Sequence, residues 1–147
     1  MNSPSVCCDT SFLFALYCTN EHTPKALRRL RSLGKPILLS TIIDYELANA
    51  LRLSEYREPI APGRSELHLS EYEEDYRAGR LVHAAINLDA VFAAAKRLSQ
   101  KYVLSAGSRS FDMLHVATAL VLQAGLFLTF DRQQQRLAIA EGLKSPR

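Results

Sequence analysis

The stretch from Ser110 to Asp131, SFDMLHVATALVLQAGLFLTFD, restricts the fold of this chain more than any other. Met113 to Gln123 is apolar on nearly every face and too long for an ordinary strand, which predicts a buried helix. Ser110 can cap its start and Gly125 can end it. Leu126 to Phe130 then reads as a short buried strand. A helix connecting parallel strands runs antiparallel to them, so its N-terminus lies at the edge where the strands have their C-termini. Asp112 opens the helix and Asp131 closes the strand. Both carboxylates therefore face one sheet edge, the edge at which open α/β proteins bind ligands.

With 147 residues, 48% of them hydrophobic, the chain suits a single domain over residues 1–147 with one sizeable core. A net charge of +3 allows an anionic partner without requiring one. Cys7, Cys8 and Cys18 offer neither a disulfide framework nor metal-ligand spacing, and read as reduced core thiols of a cytoplasmic protein. The first residues carry no basic region and meet Asp9 before any long apolar run, so no secretory signal is expected. Met113 to Phe130 is long enough to be mistaken for a membrane span. It is interrupted by His115, Gln123 and Gly125 and bounded by an acid at each end, so no membrane association is expected.

The remaining segments can build the rest of such a sheet. Ser5 to Cys8 is a short apolar run that stops at Asp9-Thr10-Ser11, which puts Asp9 at the C-terminal end of a strand; Phe12 to Tyr17 follows as a short buried helix. Thr23-Pro24 is a cap followed by a first turn, and Leu27, Leu30 and Leu33 recur at helical spacing until Gly34. The opposite face carries Arg28, Arg29 and Arg31, as a solvated surface or as phosphate contacts. Ile37 to Leu39 is a second strand, and Ser40-Thr41 leads into a helix from Ile42 to Leu53. Thr41 and Asp44 have capping-box spacing, which gives Asp44 a structural explanation. Glu46 has none, and it flanks the apolar stripe of Ile43, Leu47 and Ala50.

Ser54 to Arg80 is the least regular region, expected to hold an exposed loop and one amphipathic helix with Glu71, Glu73, Glu74 and Asp75 on its solvated face. Leu81 to Asn87 reads as an edge strand. Asp89 fits the N-cap of a helix from Ala90 to Tyr102, and Val103 to Arg109 reads as a polar turn.

Asp9, Glu46, Asp112 and Asp131 thus converge on one sheet edge from distant parts of the chain. Four clustered carboxylates repel one another, and a divalent cation is the usual remedy. All-oxygen ligands suit Mg²⁺ or Mn²⁺, which lowers the pKa of a bound water and stabilises charge on a phosphoryl group. Each acid also has a simpler explanation: Asp112 complements a helix dipole, and strand-end acids cap the following turn. Other chemistries find less support. A haloacid-dehalogenase-type phosphatase needs a second Asp where Ser11 stands, a receiver domain needs an acidic pair where Cys8-Asp9 stands, and no Gly-rich nucleotide loop occurs. His115, one turn past Asp112, reads as a core histidine rather than a general base.

Four motifs carry a resemblance: C-D-T-S from Cys8, Y-E-L-A-N-A-L from Tyr45, F-D-M-L-H-V-A-T-A from Phe111 and T-F-D-R from Thr129. In order and spacing they resemble the PIN-domain ribonucleases, and among those the VapC-type toxins of bacterial toxin–antitoxin pairs. The resemblance spans nearly the whole chain except Ser54 to Arg80. It implies a PIN-like α/β fold, with a central parallel sheet of about four or five short strands flanked by helices on both faces. It also implies an endoribonuclease dependent on Mg²⁺ or Mn²⁺, with Asp9, Glu46, Asp112 and Asp131 as metal-binding and catalytic acids and Ser11 as a hydrogen-bonding support near the metal. It selects Glu46 over Asp44. Arg132 and Gln133 stand where some members carry a further acid or Asn. A cognate antitoxin and a homodimer are the partners it implies. The alternatives are a non-catalytic PIN-like module that binds RNA or protein and, from another class, a metal-dependent phosphatase. Retention of all four acids speaks against the first.

Overall fold

A computed structural model describes residues 4–59 and 61–147. Residues 1–3, part of the stretch expected to lack a leader, and residue 60, inside the expected loop, lie outside the described residues. In chain order the elements are β1 Val6–Cys8, α1 Thr10–Tyr17, α2 Thr23–Leu33, β2 Ile37–Leu39, α3 Thr41–Arg57, α4 Arg64–Arg77, β3 Leu81–His83, α5 Leu88–Ala106, α6 Ser110–Val121, β4 Leu126–Leu128 and α7 Arg132–Ala140. The four strands form one parallel sheet in the order β3-β2-β1-β4. The chain steps outward from β1 to β2 and β3, then returns to add β4 on the far side of β1. The reversal of strand order falls between β1 and β4, and it opens the crevice where such sheets bind ligands.

Alternation along the strands divides the core in two. Val6, Cys8, Ile37, Leu39, Leu81 and Leu128 face one way, into a core completed by α1 to α4. Cys7, Leu38 and Phe127 face the other way, against α5, α6 and α7. Strand side chains point to opposite faces in turn, so runs apolar at every position are what a sheet covered on both sides requires. Phe127 is completely buried, and truncation to Ala at such a site typically costs about 3–5 kcal/mol. The three cysteines are free among the described residues, with Cys7 and Cys8 buried on opposite faces.

Several boundaries differ from the sequence reading, each for a local reason. Ser40, not Thr41, caps α3, accepting the Ile43 N–H at 3.3 Å. Asn87, not Asp89, caps α5, accepting the Ala90 N–H at 3.1 Å, while Asp89 sits in the first turn. The helix then runs through the expected polar turn to Ala106, because Tyr102 and Val103 pack on the second core and only Gly107, at φ 67°, takes the left-handed conformation that stops it. Ser110 is the first residue of α6 rather than its cap; Arg109 holds that position without a side-chain capping bond among the described residues. Gly125 does not end α6, which stops at Val121. A side chain at Gly125 would instead collide with Pro4, whose Cβ lies 2.1 Å from where a glycine-to-alanine Cβ would stand.

The stretch 54–80 holds the end of α3, a loop and α4. Glu71, Glu73 and Glu74 are exposed as expected, whereas Asp75 is half-buried, accepting the Tyr17 hydroxyl at 2.7 Å and pairing with Arg80 at 2.8 Å. It ties α4 to α1. Among the described residues no helix is long and apolar enough to cross a membrane.

Candidate active site at the sheet edge

The four candidate acids come from four different elements. Asp9 follows β1 and is the N-cap of α1, Asp131 follows β4 and is the N-cap of α7, Glu46 lies in α3, and Asp112 lies in the first turn of α6. Asp9 and Asp131 therefore flank the switch point. The Asp9 N–H reaches across it to the Leu128 carbonyl at 3.1 Å.

Asp9 is fully buried and saturated with donors. It accepts the Phe12 N–H at 3.1 Å, the Thr129 hydroxyl at 2.7 Å and the Gln134 amide at 2.8 Å. The Ser11 hydroxyl lies 2.7 and 2.9 Å from its two oxygens. Ser11 in turn accepts the Phe130 N–H at 3.0 Å, and Thr129 accepts the Asp131 N–H at 2.9 Å. The two hydroxyls thus fix the carboxylate against the backbone that follows β4. Burial pushes the Asp9 pKa up to about 6, opposed by the bonds from Thr129, Ser11 and Phe12 and by the charge of His115. The fold spends stability to keep this acid ionised at neutral pH.

Asp112 is brought against Asp9 by a shared donor: the Gln134 amide nitrogen that bonds Asp9 also lies 3.1 Å from Asp112 Oδ1. Its pKa is raised by burial and then by the negative charges of Asp131 and Glu46. Mutual repulsion among the acids is thereby visible at Asp112. Glu46 answers differently, for burial would raise its pKa, but hydrogen bonds from His115 and Thr10 and the charge of His115 outweigh it and leave it lowered. The His115 ring, almost completely buried, lies 3.1 Å from Glu46 Oε1 and 3.4 Å from the Thr10 hydroxyl. His115 is indeed in the core, and it also positions Glu46. Asp131 turns its carboxylate to its own helix, accepting the Gln133 and Gln134 N–H groups at 2.8 and 3.1 Å.

The arrangement is a close pair with two flanking acids rather than a four-fold cage. Among the described residues no three His, Cys, Asp or Glu side chains stand at metal-holding spacing. Mg²⁺ and Mn²⁺ nevertheless suit the donors: Mg²⁺ usually takes one or two carboxylates and keeps several waters. Asp9 and Asp112 supply that pair, and the raised pKa of each is the cost a cation would relieve.

Asp44 stands apart from this group. It accepts the buried Tyr72 hydroxyl at 2.9 Å, joining α3 to α4. Asp44→Asn should leave any nuclease turnover unchanged and lower stability by about 0.5–1.5 kcal/mol, since a neutral acceptor replaces a charged one. Urea melts and an RNA-cleavage assay on the same preparation check this.

Two residues at the site went unread in the sequence, Thr129 and Gln134. No helix was expected after Asp131, although Asp131 and Gln134 have capping-box spacing ahead of Leu137 and Ala138, and that signal could have found α7. An open groove of about 430 Å³ runs beside the acids, lined by Thr10, Ser11, Phe14, Asn20, His22, Ala50, Phe130 and Asp131. It shares His22 and Phe130, whose rings stack at 4.5 Å, with a cleft lined by Lys25, Arg132 and Arg147. Positive charge thus adjoins the acids at this edge. Arg31 lies elsewhere, beside Gly34 and Pro36 ahead of β2.

The same architecture occurs in solved proteins. VapBC2 from Rickettsia felis, described as bound to a DNA fragment from its promoter, matches with a TM-score of 0.68 at 16% identity, over 96% of each chain. FitAcB from Neisseria gonorrhoeae matches with a TM-score of 0.64 at 18% identity, over 97% of this chain and 96% of that one. Mycobacterium tuberculosis VapC20, described as a sarcin-ricin loop cleaving toxin, matches with a TM-score of 0.64 at 16% identity, over 97% and 99%. These likenesses are of fold. No curated protein matches the sequence. The model of the PIN domain, however, matches residues 6–140, from the first strand to the last helix. This chain belongs to the PIN domain family.

Proposed function

We propose that this protein is a metal-dependent endoribonuclease, the toxin of a bacterial toxin–antitoxin pair, acting in the cytoplasm as a single domain over residues 1–147. The observation that carries the reading is the carboxylate pair Asp9 and Asp112, joined through one nitrogen at the switch point, with Glu46 and Asp131 close enough for electrostatics to be felt at Asp112. Likeness to VapC20, described as a sarcin-ricin loop cleaving toxin, supports the substrate class, and likeness to VapBC2 supports an antitoxin partner. A homodimer is the assembly we expect from the same family.

In this reading Asp9 and Asp112 would hold Mg²⁺ or Mn²⁺, with Glu46 and Asp131 flanking the pair. The bound ion would supply charge stabilisation for the phosphoryl oxygens and a water of lowered pKa. Ser11 and Thr129 orient Asp9. Glu46, kept ionised by His115, accepts a hydrogen bond from the attacking water and aligns it. Lys25 and Arg132 draw the phosphate backbone across the adjoining cleft.

RNA cleavage should vanish in excess chelator and return with Mg²⁺ or Mn²⁺ but not require Zn²⁺, there being no thiolate or imidazole ligand set among the described residues. Undiminished cleavage in chelator overturns the metal role. RNA bound but never cut with either ion would assign the chain to the non-catalytic reading. Turnover of a phosphomonoester with RNA left intact would make it a phosphatase.

A further inference from the structure

Gln134 is buried, 5% exposed, yet only half of its amide is satisfied. Its nitrogen donates to Asp9 Oδ2 at 2.8 Å and to Asp112 Oδ1 at 3.1 Å, while its Oε1, equally buried, has no hydrogen-bond partner among the described residues. A buried unpaired carbonyl is unfavourable, and the side chain had another option. As the third residue of α7 it is spaced to reach back to the N–H of the cap residue Asp131, the usual bond of a glutamine there. That N–H is taken by Thr129 instead. Gln134 is therefore held by what the two acids need from its nitrogen, and its oxygen is left without a use.

We propose that Gln134 is a stand-in for the cation, a displaceable donor that bridges Asp9 and Asp112 while no metal is bound. Its two N–H bonds satisfy one oxygen of each acid and hold the pair together without neutralising it. A cation held by the pair would compete with the amide for the two oxygens that Nε2 contacts, Asp9 Oδ2 and Asp112 Oδ1. Leaving costs the amide nothing on its carbonyl side. The device keeps the metal-free site assembled and weakens metal binding in proportion, so it sets the ion concentration at which the site fills. This rests on the metal reading above.

The test uses the full chain and reads binding rather than activity. Mn²⁺ affinity is measured by the electron paramagnetic resonance of free Mn²⁺, and thermal stability by calorimetry in chelator and in Mn²⁺. Gln134→Met keeps length and flexibility but removes the donor. It should melt below the parent in chelator and bind Mn²⁺ about tenfold to a hundredfold more tightly, the factor carried by hydrogen bonds to charged groups. A residue needed only for packing would lower stability without tightening binding. Gln134→Lys places a permanent cation between the acids; it should melt at or above the parent in chelator and show no Mn²⁺ response. A Met variant that binds Mn²⁺ with parental or weaker affinity, or a Lys variant that binds it as the parent does, would overturn the proposal while leaving the metal reading standing. A parent that binds no Mn²⁺ would overturn both.

Discussion

Without divalent ions, Asp112→Asn should melt at a higher temperature than the parent; with Mg²⁺ or Mn²⁺ the order should reverse. The substitution removes a charge that burial, Asp131 and Glu46 all oppose. It keeps an oxygen to accept the Gln134 amide, so no donor is orphaned. Relief of about 1 kcal/mol would raise the melting temperature of a chain this size by about 2–4 °C. An acid whose folded pKa is raised stabilises relative to its ionised form only below its unfolded pKa, and that contribution is lost as pH rises through the folded value. The advantage of Asp112→Asn should therefore grow from pH 4 towards pH 7. Metal at a hundredfold excess over its Kd would stabilise the parent by about 2.7 kcal/mol, and the variant, lacking one of the two proposed ligands, by much less. Calorimetry in chelator and in Mn²⁺ checks both signs. A variant less stable than the parent without metal, with an equal gain from added metal, would make Asp112 a helix-terminal acid only.

Asp9→Asn should lower turnover by about three orders of magnitude or more, the several kcal/mol that a metal's charge stabilisation represents. It should do so in a folded protein. The backbone Phe12 N–H requires oxygen at one position, so the Asn amide nitrogen takes the place of Oδ2. There it meets the Thr129 hydroxyl, which can rotate to accept it, while the Gln134 amide keeps its bond to Asp112 Oδ1. The same variant alters the pH profile of the metal-free protein. The parent's Asp9 has a folded pKa of about 6 against 3.8 for an unperturbed carboxyl, so the folded state binds the proton first and stability increases as pH falls through 6 towards 4. The gain is up to about 3 kcal/mol at 1.36 kcal/mol per pKa unit. Glu46, with a lowered pKa, acts in the opposite sense: its stabilisation is present above its unfolded value and lost at lower pH. In the window from pH 6 to about 4.5 Asp9 therefore acts together with Asp112, whose folded pKa is also raised. The increase in that window should shrink in Asp9→Asn to the part Asp112 carries, and parental metal affinity should weaken below pH 6 as Asp9 protonates. Denaturant melts across pH in chelator measure the first, and Mn²⁺ titrations the second. The full parental rise in stability retained in the variant would mean that the proton is held elsewhere.

How far the site could be read depended on how local each signal was. Asp9 and Asp131 stand at abrupt ends of apolar runs, and Asp112 stands at the start of a continuously apolar helix, so the strand–helix alternation alone put them at one edge. Glu46 could not be separated from Asp44 by helical periodicity, because both flank the same stripe. The difference lies in their partners, His115 on one side and Tyr72 on the other, which are 69 and 28 residues away. The caps were misread at Thr41, Asp89 and Ser110 by one or two residues, since neighbouring polar residues compete for a cap and backbone direction decides among them.

The sequence by itself determined the layered architecture. Strands apolar at every position have to be covered on both faces, and glycines at 34 and 107 stop helices wherever the chain needs a left-handed turn. Only the tertiary structure decided the strand order, and with it the pairing of β1 with β4 that makes neighbours of Asp9, Thr129 and Asp131. It also decided the electrostatics, because burial of Asp9 and the placement of Gln134 between two acids depend on contacts 22 to 125 residues apart in the chain. Periodicity records which side of an element is apolar. It carries no record of which polar group from a distant element will meet it there, and that encounter is what joins Asp9 to Asp112 at the sheet edge.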